Sequence, residues 1–404
     1  MRLFTMRLSA SNLKELEQSI DRRYSPETSI VLRYMNSFHF NLPEDDAASF
    51  KECLHHTSIR EGARIFHLMR YRQVDIYLLD ETSLMFTRTL KSVDGCITTA
   101  HCKFNGFSSV AFETGGNTGI AFTVYGQRAG LETYMFLPEQ NIPLLKSTIF
   151  EPDSAHLIAV ADPKLTKKAV QEFVKLKGIA HIPQIRWRYE ASMFRGLFIL
   201  EFMLEKGKFD WITQTISAAF GPIGIYTVLR GFERKWGVAP RFLGVQQAAN
   251  CPLFKAWKAQ EQSKDSDQPS SPPELLARVM YDINPQTYGT YQELSNILNR
   301  TRGDLITIHH TEFNKLFESN FEGTDLLELL AAQGIRITTC HGDVVEKTGL
   351  IALSGTLKAI NEGLITPGSK VLCCLTSGVS DADGKAIPEY SVRDIESMLR
   401  EFSA

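Results

Sequence analysis

Two glycine-rich turns hold the residues best suited to binding an anion. The first is ETGGNTGIAF, residues 113–122, and the second is AAFGPIGIYT, residues 218–227. Each lies between a segment typical of a strand and a segment typical of a helix, so backbone N–H groups would point outward at a helix N-terminus. Such a turn can bind a carboxylate or a phosphate. For either turn alone the alternative is tight backbone packing, because neither has the spacing of a dinucleotide-binding turn or a P-loop.

A lysine precedes the first turn. Lys91 lies in TRTLKSVDG, 26 residues before Asn117. In a partly dry site, or beside other positive groups, the pKa of a lysine falls and its amine becomes a nucleophile. Most lysines are solvated surface residues, and the sequence alone does not separate the two interpretations.

The elements that must position these residues alternate along the chain. Strands are predicted in GFSSVAFET, ETYMFLP, AHLIAVAD, IAHIPQ, DWITQTIS and RFLGVQ, and helices between them end at glycines such as Gly130 and Gly178. This alternation predicts an α/β fold with parallel sheet and a compact subdomain over residues 101–185. Helical patterns follow in ELLARVMYDI, TYQELSNILNR and DLLELLAAQG, then a helix ending near Gly363 and the strand VLCCL. Residues 259–274 are polar and rich in Ser and Pro, which predicts a flexible insertion.

Composition excludes several classes. The 404 residues are 43% hydrophobic and 22% charged, with a net charge of −2, which argues against a generally basic nucleic-acid binder. No apolar run is long enough for a membrane span or a signal peptide. Seven cysteines without a C-x-x-C pair argue against a zinc ribbon or a disulfide framework, and fit a reducing, cytoplasmic location. The doublets His55-His56 and His309-His310 lack partner ligands at helical or finger spacing, so no metal site is expected.

Taken together, the lysine, the G-N-T segment, the glycine turn after a strand and the late L-T-x-G resemble the fold-type II pyridoxal-phosphate enzymes. The resemblance covers residues 57–380 and is closest to threonine synthase and cysteate synthase. It implies two open twisted sheets flanked by helices, with the small subdomain 101–185 inserted in a large cofactor-binding domain formed by residues 1–100 and 186–404. The active site would be the cleft between them. A homodimer acting on a small amino-acid substrate, with no nucleic acid or membrane partner, is also implied.

The resemblance also implies roles for individual residues. Lys91 would form a Schiff base with pyridoxal 5′-phosphate, and Asn117 would meet the 3′-oxygen of the cofactor. The substrate carboxylate would be held by the turn Thr114, Gly115, Gly116, Asn117 and Thr118. The cofactor phosphate would be held by Gly221, Pro222, Ile223 and Gly224. Thr376 in CCLTSG would face the pyridine nitrogen.

Departures from the family pattern concentrate in the second turn. Ala219, Phe220, Pro222 and Ile223 replace several glycines or serines, and Pro222 removes one backbone donor. The lysine segment lacks the preceding Pro-Thr-Gly and the following Asp-Arg-Gly. These changes leave the reaction open.

The implied chemistry is loss of the Cα proton to Lys91, with the cofactor ring taking up the electrons. A neutral Thr376 favours elimination of a β or γ leaving group over transamination. Arg186, Arg188 and Arg195 in QIRWRYEASMFRG are candidates for an anionic leaving group, and Arg188 is the one assigned to substrate binding. The alternative is that these arginines are surface residues packing on Trp187 and Tyr189.

Several reactions and two other classes remain. β-Replacement on phosphoserine or acetylserine, as in cysteate synthase, is the first choice, and γ-replacement and simple elimination are the others. A relative that kept the fold but altered or lost catalysis and acts as a binding protein is the second class, supported by the changed glycine loop. A nucleotide-binding oxidoreductase is the third, although its glycine pattern is absent.

Overall fold

The computed structural model describes ten stretches of the chain: residues 4–9, 12–145, 154–182, 185–233, 237–259, 274–281, 289–321, 323–338, 346–379 and 386–403. The polar insertion predicted at residues 259–274 lies almost wholly outside them. In the described residues no helix has the length and apolar character needed to cross a membrane.

The described strands are β1 Arg7–Leu8, β2 Phe38–His39, β3 Arg64–Tyr71, β4 Val74–Asp80, β5 Ser109–Glu113, β6 Glu132–Pro138, β7 Ala155–Val160, β8 Ala180–His181, β9 Trp211–Thr215, β10 Arg241–Gln247, β11 Asp304–Ile308, β12 Asn320–Phe321, β13 Thr324–Asp325, β14 Lys370–Leu375 and β15 Tyr390–Val392. The described helices are α1 Leu13–Ser19, α2 Ile30–Tyr34, α3 Glu44–Thr57, α4 Lys91–Phe104, α5 Asn117–Ala129, α6 Thr166–Lys177, α7 Ile185–Lys206, α8 Phe220–Gly231, α9 Pro252–Ala259, α10 Thr290–Thr301, α11 His310–Glu318, α12 Leu326–Ala332, α13 Thr348–Asn361 and α14 Ile395–Ser403.

Two larger sheets organise the molecule. The first has six strands in the order β11-β10-β9-β14-β4-β3, all parallel except the edge strand β3. The second has five parallel strands in the order β15-β7-β6-β5-β8. Helices flank both sheets, so the predicted α/β fold of two open sheets is confirmed.

Helix α7 connects the two sheets, because it follows β8 of the second sheet and precedes β9 of the first. Most of its 22 residues are buried, including Phe194, Leu197 and Leu200. A helix that buries most of its residues must be covered by neighbours on several sides. It packs against α4 and α8, so the elements that begin with Lys91 and with Phe220 share one core.

Two features differ from the sequence-based expectations. The helix predicted in ELLARVMYDI is wrong over residues 274–281, where only a 3-10 turn, Arg278–Met280, forms. The Ala277 backbone instead pairs with the Gln247 amide, at 3.0 Å through its N–H and 3.2 Å through its carbonyl. In addition, the edge strand β15, which was not predicted, joins the second sheet from outside residues 101–185. The division into domains itself stays a prediction.

Candidate active site at the carboxyl ends of the strands

The segments that follow β4 and β14 bring Lys91 and Thr376 together. These strands are parallel neighbours, so their carboxyl ends meet at one edge of the sheet. The Leu90 N–H donates to the carbonyl of Thr376 at 3.0 Å, and the Gly378 N–H donates to the carbonyl of Arg88 at 2.8 Å. Lys91 therefore begins α4 directly beside the end of β14.

The amine of Lys91 is paired with a carboxylate that the sequence analysis missed. Its Nζ donates to Oδ2 of Asp94 at 2.5 Å, and Asp94 is buried. Burial lowers the pKa of Lys91, the Asp94 carboxylate opposes that shift, and the positive charge of Arg188 adds to it. Asp94 is three residues along the same helix, which is the spacing at which side chains meet, so the signal was present in the sequence.

Thr114 fixes the first glycine turn. Its Oγ1 accepts hydrogen bonds from the Gly116 N–H at 3.0 Å and the Gly119 N–H at 2.9 Å. Gly116 has a φ of +150°, a conformation that favours glycine. The N–H groups of Asn117 and Thr118 belong to the first turn of α5, where a helix offers no acceptor of its own. They are the donors available to a carboxylate.

The first turn also contacts both neighbouring regions. Nδ2 of Asn117 donates to Oγ of Ser377 at 3.3 Å, which brings the predicted Asn117 next to the predicted Thr376. On its other side, Nδ2 of Asn141 donates to the carbonyl of Gly115 at 3.0 Å. Asn141 was not predicted, because the 3-10 turn that contains it, Glu139–Leu144, carries no motif.

A second unpredicted carboxyl group, Glu346, lies beside Ser377. Its Oε1 accepts a hydrogen bond from the Thr348 N–H at 2.5 Å. Burial raises the pKa of Glu346, and hydrogen bonds from Thr348 and Ser377 oppose that shift. Glu346 therefore adds a titratable group at the Thr376 end of the site.

The second glycine turn follows β9 and leads into α8. Ala219 adopts a left-handed φ of +61°, and α8 begins at Phe220. A Cβ atom on Gly221 would lie 2.4 Å from Nε2 of Gln214 and 2.8 Å from Nη1 of Arg195. Both nitrogen atoms therefore pack directly against Gly221 and leave no room for a side chain at this position.

Gly224 has a different environment from Gly221. A Cβ atom there would lie 2.4 Å from both Cβ of Ser192 and the carbonyl oxygen of Tyr189, on α7. Gly224 thus permits close packing of α8 on α7, the role that the sequence analysis kept as the alternative for this turn. The Ile223 N–H bonds to the Ala219 carbonyl at 3.4 Å, and Pro222 has no N–H.

The three candidate arginines occupy three different environments. Arg186 is 58% exposed and pairs with Glu190 at 3.7 Å, so it is not brought to the site. Arg195 is buried and bonds to the carboxylate of Glu81 and to Oε1 of Gln214. Arg188 lies between the two turns.

Arg188 spans the distance between the turns through two contacts. Its Nη2 donates to Oγ1 of Thr118 at 3.2 Å, and its guanidinium carbon lies 4.7 Å from the ring centroid of Phe220. The expected alternative was packing on Trp187 and Tyr189. Trp187 stacks on His101 with ring centroids 4.5 Å apart, and the ring of Tyr189 lies 5.5 Å from that of Phe220.

Comparison with known proteins gives the class of this site. Residues 70–306 match the family model described as pyridoxal-phosphate dependent enzyme. The chain belongs to this family. Pyridoxal 5′-phosphate is therefore its cofactor, as the resemblance implied.

Curated relatives of this pyridoxal-phosphate enzyme are distant. A threonine synthase from Methanosarcina acetivorans is 26% identical over 278 residues, which cover 67% of this chain and 62% of the relative. The match thus spans less than two thirds of that protein. A cysteate synthase from the same organism is 24% identical over 320 residues, covering 75% of this chain and 71% of the relative.

Solved structures confirm the fold. A pyridoxal 5′-phosphate-dependent aspartate racemase has a TM-score of 0.59 at 15% identity, covering 85% of this chain and 97% of its own. Maize serine racemase has a TM-score of 0.58 at 14% identity, covering 83% and 95%. At these identities the likeness shows the fold alone.

The residues present fit the cofactor in one respect. Within the described part of the chain, Nη1 of Arg195 and Nε of Arg188 are buried donors without a hydrogen-bond partner. Unpaired buried donors are costly, and an anion would satisfy them. The cofactor supplies an electron sink for a carbanion at Cα when it is bound.

Proposed function

We propose that this pyridoxal-phosphate enzyme performs β-replacement or β/γ-elimination on an amino acid that carries an anionic or acyl leaving group. A cysteate-synthase-like β-replacement is the first choice within that range, as in the sequence analysis. The observation that carries the proposal is the position of Arg188, a partly buried guanidinium between the carboxylate-binding turn and Phe220. The names of the two curated relatives support the same range of reactions.

In this proposal Lys91 holds the cofactor and moves the Cα proton. Its Nζ lies against Asp94, so a proton taken by Lys91 would be stabilised as an ion pair at 2.5 Å. The lowered pKa of Lys91 favours the neutral amine that a base requires.

The first turn binds and orients the substrate in this proposal. The N–H groups of Asn117 and Thr118 hold the α-carboxylate at the start of α5, where the helix dipole also favours negative charge. Asn117 meets the 3′-oxygen of the cofactor and Thr376 faces its pyridine nitrogen, as the resemblance implied. Arg188 contacts Thr118, so its guanidinium group lies beside the carboxylate site, and the leaving group of a bound substrate would extend toward it.

The test compares Arg188→Gln with Arg186→Gln, two neighbours on α7 with different exposure. O-Phosphoserine, O-acetylserine and serine would each be added to the holoenzyme while the visible absorption of the cofactor and the release of the leaving group are followed. We expect the Arg188 variant to raise KM for phosphoserine about 10- to 100-fold, because a charge-assisted bond is lost, and to affect serine little.

The Arg186 variant is the matched control and should stay within about twofold of the wild type, because that side chain is largely exposed. Equal losses for phosphoserine and serine in the Arg188 variant would overturn the leaving-group assignment. A holoenzyme that responds to none of the amino acids would favour the binding-protein alternative, which rests on the changed second turn.

A further inference from the structure

Residues 276–281, which we call the strap, reach the first glycine turn from outside the second sheet. A Cβ atom on Gly115 would lie 3.3 Å from the carbonyl oxygen of Val279, and a Cβ atom on Gly116 would lie 3.2 Å from its Cγ1. Both distances are shorter than a Cβ atom normally tolerates, so the two glycines make room for Val279. Val279 therefore packs directly on the turn whose N–H groups are assigned to the substrate carboxylate.

The strap is fastened to the first sheet by one buried side chain. Gln247 is the last residue of β10 and is 3% exposed. Its Oε1 accepts a hydrogen bond from the Ala277 N–H at 3.0 Å, and its Nε2 donates to the Ala277 carbonyl at 3.2 Å. Leu276 and Ala277 are themselves buried in the core that covers the first sheet. Releasing the strap would leave the buried amide of Gln247 without partners, which is costly, so the strap is held in one position.

The strap links parts of the site that lie on different sheets. Lys91 and Thr376 lie at the carboxyl ends of first-sheet strands, whereas the carboxylate-binding turn follows β5 of the second sheet. A substrate held by that turn meets Lys91 correctly only if the turn keeps its position, because a misplacement of about 1 Å can cost about 100-fold in rate. Thr114 fixes the turn from within its own sheet, and Val279 packs on it from the side of the first sheet.

We propose that Val279 and Gln247 are positioning residues for the reaction. Val279 holds the carboxylate-binding turn in place, and Gln247 holds the strap that carries Val279. The inference rests on the proposed function and adds two residues that lie outside every motif of the site. In that function Lys91 holds the cofactor on the first sheet, so loss of the strap should weaken the alignment of the substrate and leave the affinity for the cofactor unchanged.

The experiment compares Gln247→Leu with Gln246→Leu in the full-length chain. Gln246 is the matched control, because it is also 3% exposed and also binds backbone groups through both ends of its amide. Its Oε1 accepts from the Phe254 N–H at 2.9 Å, and its Nε2 donates to the Ile216 carbonyl at 3.4 Å. Both variants lose two buried hydrogen bonds, and only Gln247→Leu releases the strap.

The first measurement is amide hydrogen exchange, which needs neither cofactor nor substrate. The N–H groups of Gly116 and Gly119 are bonded to Oγ1 of Thr114, so their exchange reports the opening of the turn. We expect exchange at these two positions to be about 10- to 100-fold faster in Gln247→Leu and within about threefold of the wild type in Gln246→Leu. Val279→Ala removes the contact while keeping the latch, and should give about fivefold faster exchange.

The second measurement uses the holoenzyme with O-phosphoserine. We expect kcat/KM to fall about 10- to 100-fold in Gln247→Leu, while the affinity for pyridoxal 5′-phosphate stays within about twofold of the wild type. Val279 is only partly buried, so Val279→Ala keeps the proposal testable if Gln247→Leu does not fold. Val174→Ala, which alters another partly buried valine on the core of the second sheet, is its control and should leave exchange at the turn unchanged.

Three results would overturn the proposal. The first is equal exchange at Gly116 and Gly119 in the two glutamine variants. The second is exchange in Val279→Ala that is no faster than in Val174→Ala. The third is a loss of cofactor affinity in Gln247→Leu as large as its loss of kcat/KM, which would give Gln247 a general structural role. Failure of the proposed function itself is distinct, because no amino acid would then react with the wild type while the exchange results would still differ between the variants.

Discussion

The two glycine turns of this molecule begin alike and are built differently. In the first turn, the hydroxyl oxygen of Thr114 accepts hydrogen bonds from the N–H groups of Gly116 and Gly119. The N–H groups of Asn117 and Thr118 then point outward from the start of α5. In the second, side chains pack: Nε2 of Gln214 and Nη1 of Arg195 lie against Gly221, and Pro222 has no N–H to offer. The comparison teaches that glycine content alone does not indicate an anion site, because a glycine can also make room for neighbouring side chains and backbone.

Thr114→Val tests the first turn and should give the largest effect on stability. Valine keeps the shape but leaves two buried N–H groups without an acceptor, at about 1–3 kcal/mol each. We expect the free energy of unfolding in urea to fall by about 2–4 kcal/mol, and KM for an amino-acid substrate to rise.

Thr123→Val, on the helix α5 that follows this turn, is the matched control for that change. Its hydroxyl makes only a 3.8 Å contact with the sulfur of Met135, so a loss under about 1 kcal/mol is expected. Equal losses for the two valine variants would show that Thr114 does not hold the turn.

Gly224→Ala sharpens the comparison within the second turn. Its methyl group would collide with Ser192 and with the backbone of Tyr189, so the free energy of unfolding should fall by about 1–3 kcal/mol. Gly221→Ala should cost less stability, because only side-chain ends must move. Calorimetry on the apo-proteins measures the stability loss of each variant. A larger loss for Gly221→Ala than for Gly224→Ala would contradict the packing role given to Gly224.

Asp94→Asn tests the pairing of Asp94 with Lys91. Its effect should be the smallest of the predicted ones. The Asp94 carboxylate stabilises the ammonium form and so raises the pKa of Lys91, while burial lowers it. Removing the carboxylate should move that pKa further down. Borohydride traps the bond between Lys91 and pyridoxal, so the rate of bond formation can be measured against pH. In the variant this rate should increase with pH at lower pH values than in the wild type. A shift to higher pH, or no shift, would exclude this role for Asp94.

Local patterns predicted most of the fold. Gly178 caps α6 and Gly130 caps α5, both in left-handed conformations, as the positions of these glycines predicted. The helix expected in ELLARVMYDI fails because Gln247, 30 residues away, binds its backbone. Strand β15 has only three residues, too few for a period to show.

The sequence predicted the site less completely than the fold. Lys91, Asn117 and Thr376 are carried by motifs, and the structure brings them together. The pairing of Arg195 with Glu81 joins residues 114 positions apart, which no local pattern can predict. Asp94 is the exception, because its spacing from Lys91 was visible.

The most direct test of the account is to locate the covalent bond to the cofactor. Wild-type protein would be incubated with pyridoxal 5′-phosphate, reduced with borohydride, digested and mapped by mass spectrometry, beside Lys91→Ala treated in the same way. The account predicts one phosphopyridoxyl group, on Lys91, absent from the variant together with the visible absorption band. Labelling of another lysine, or a wild type that takes up no cofactor, would contradict it.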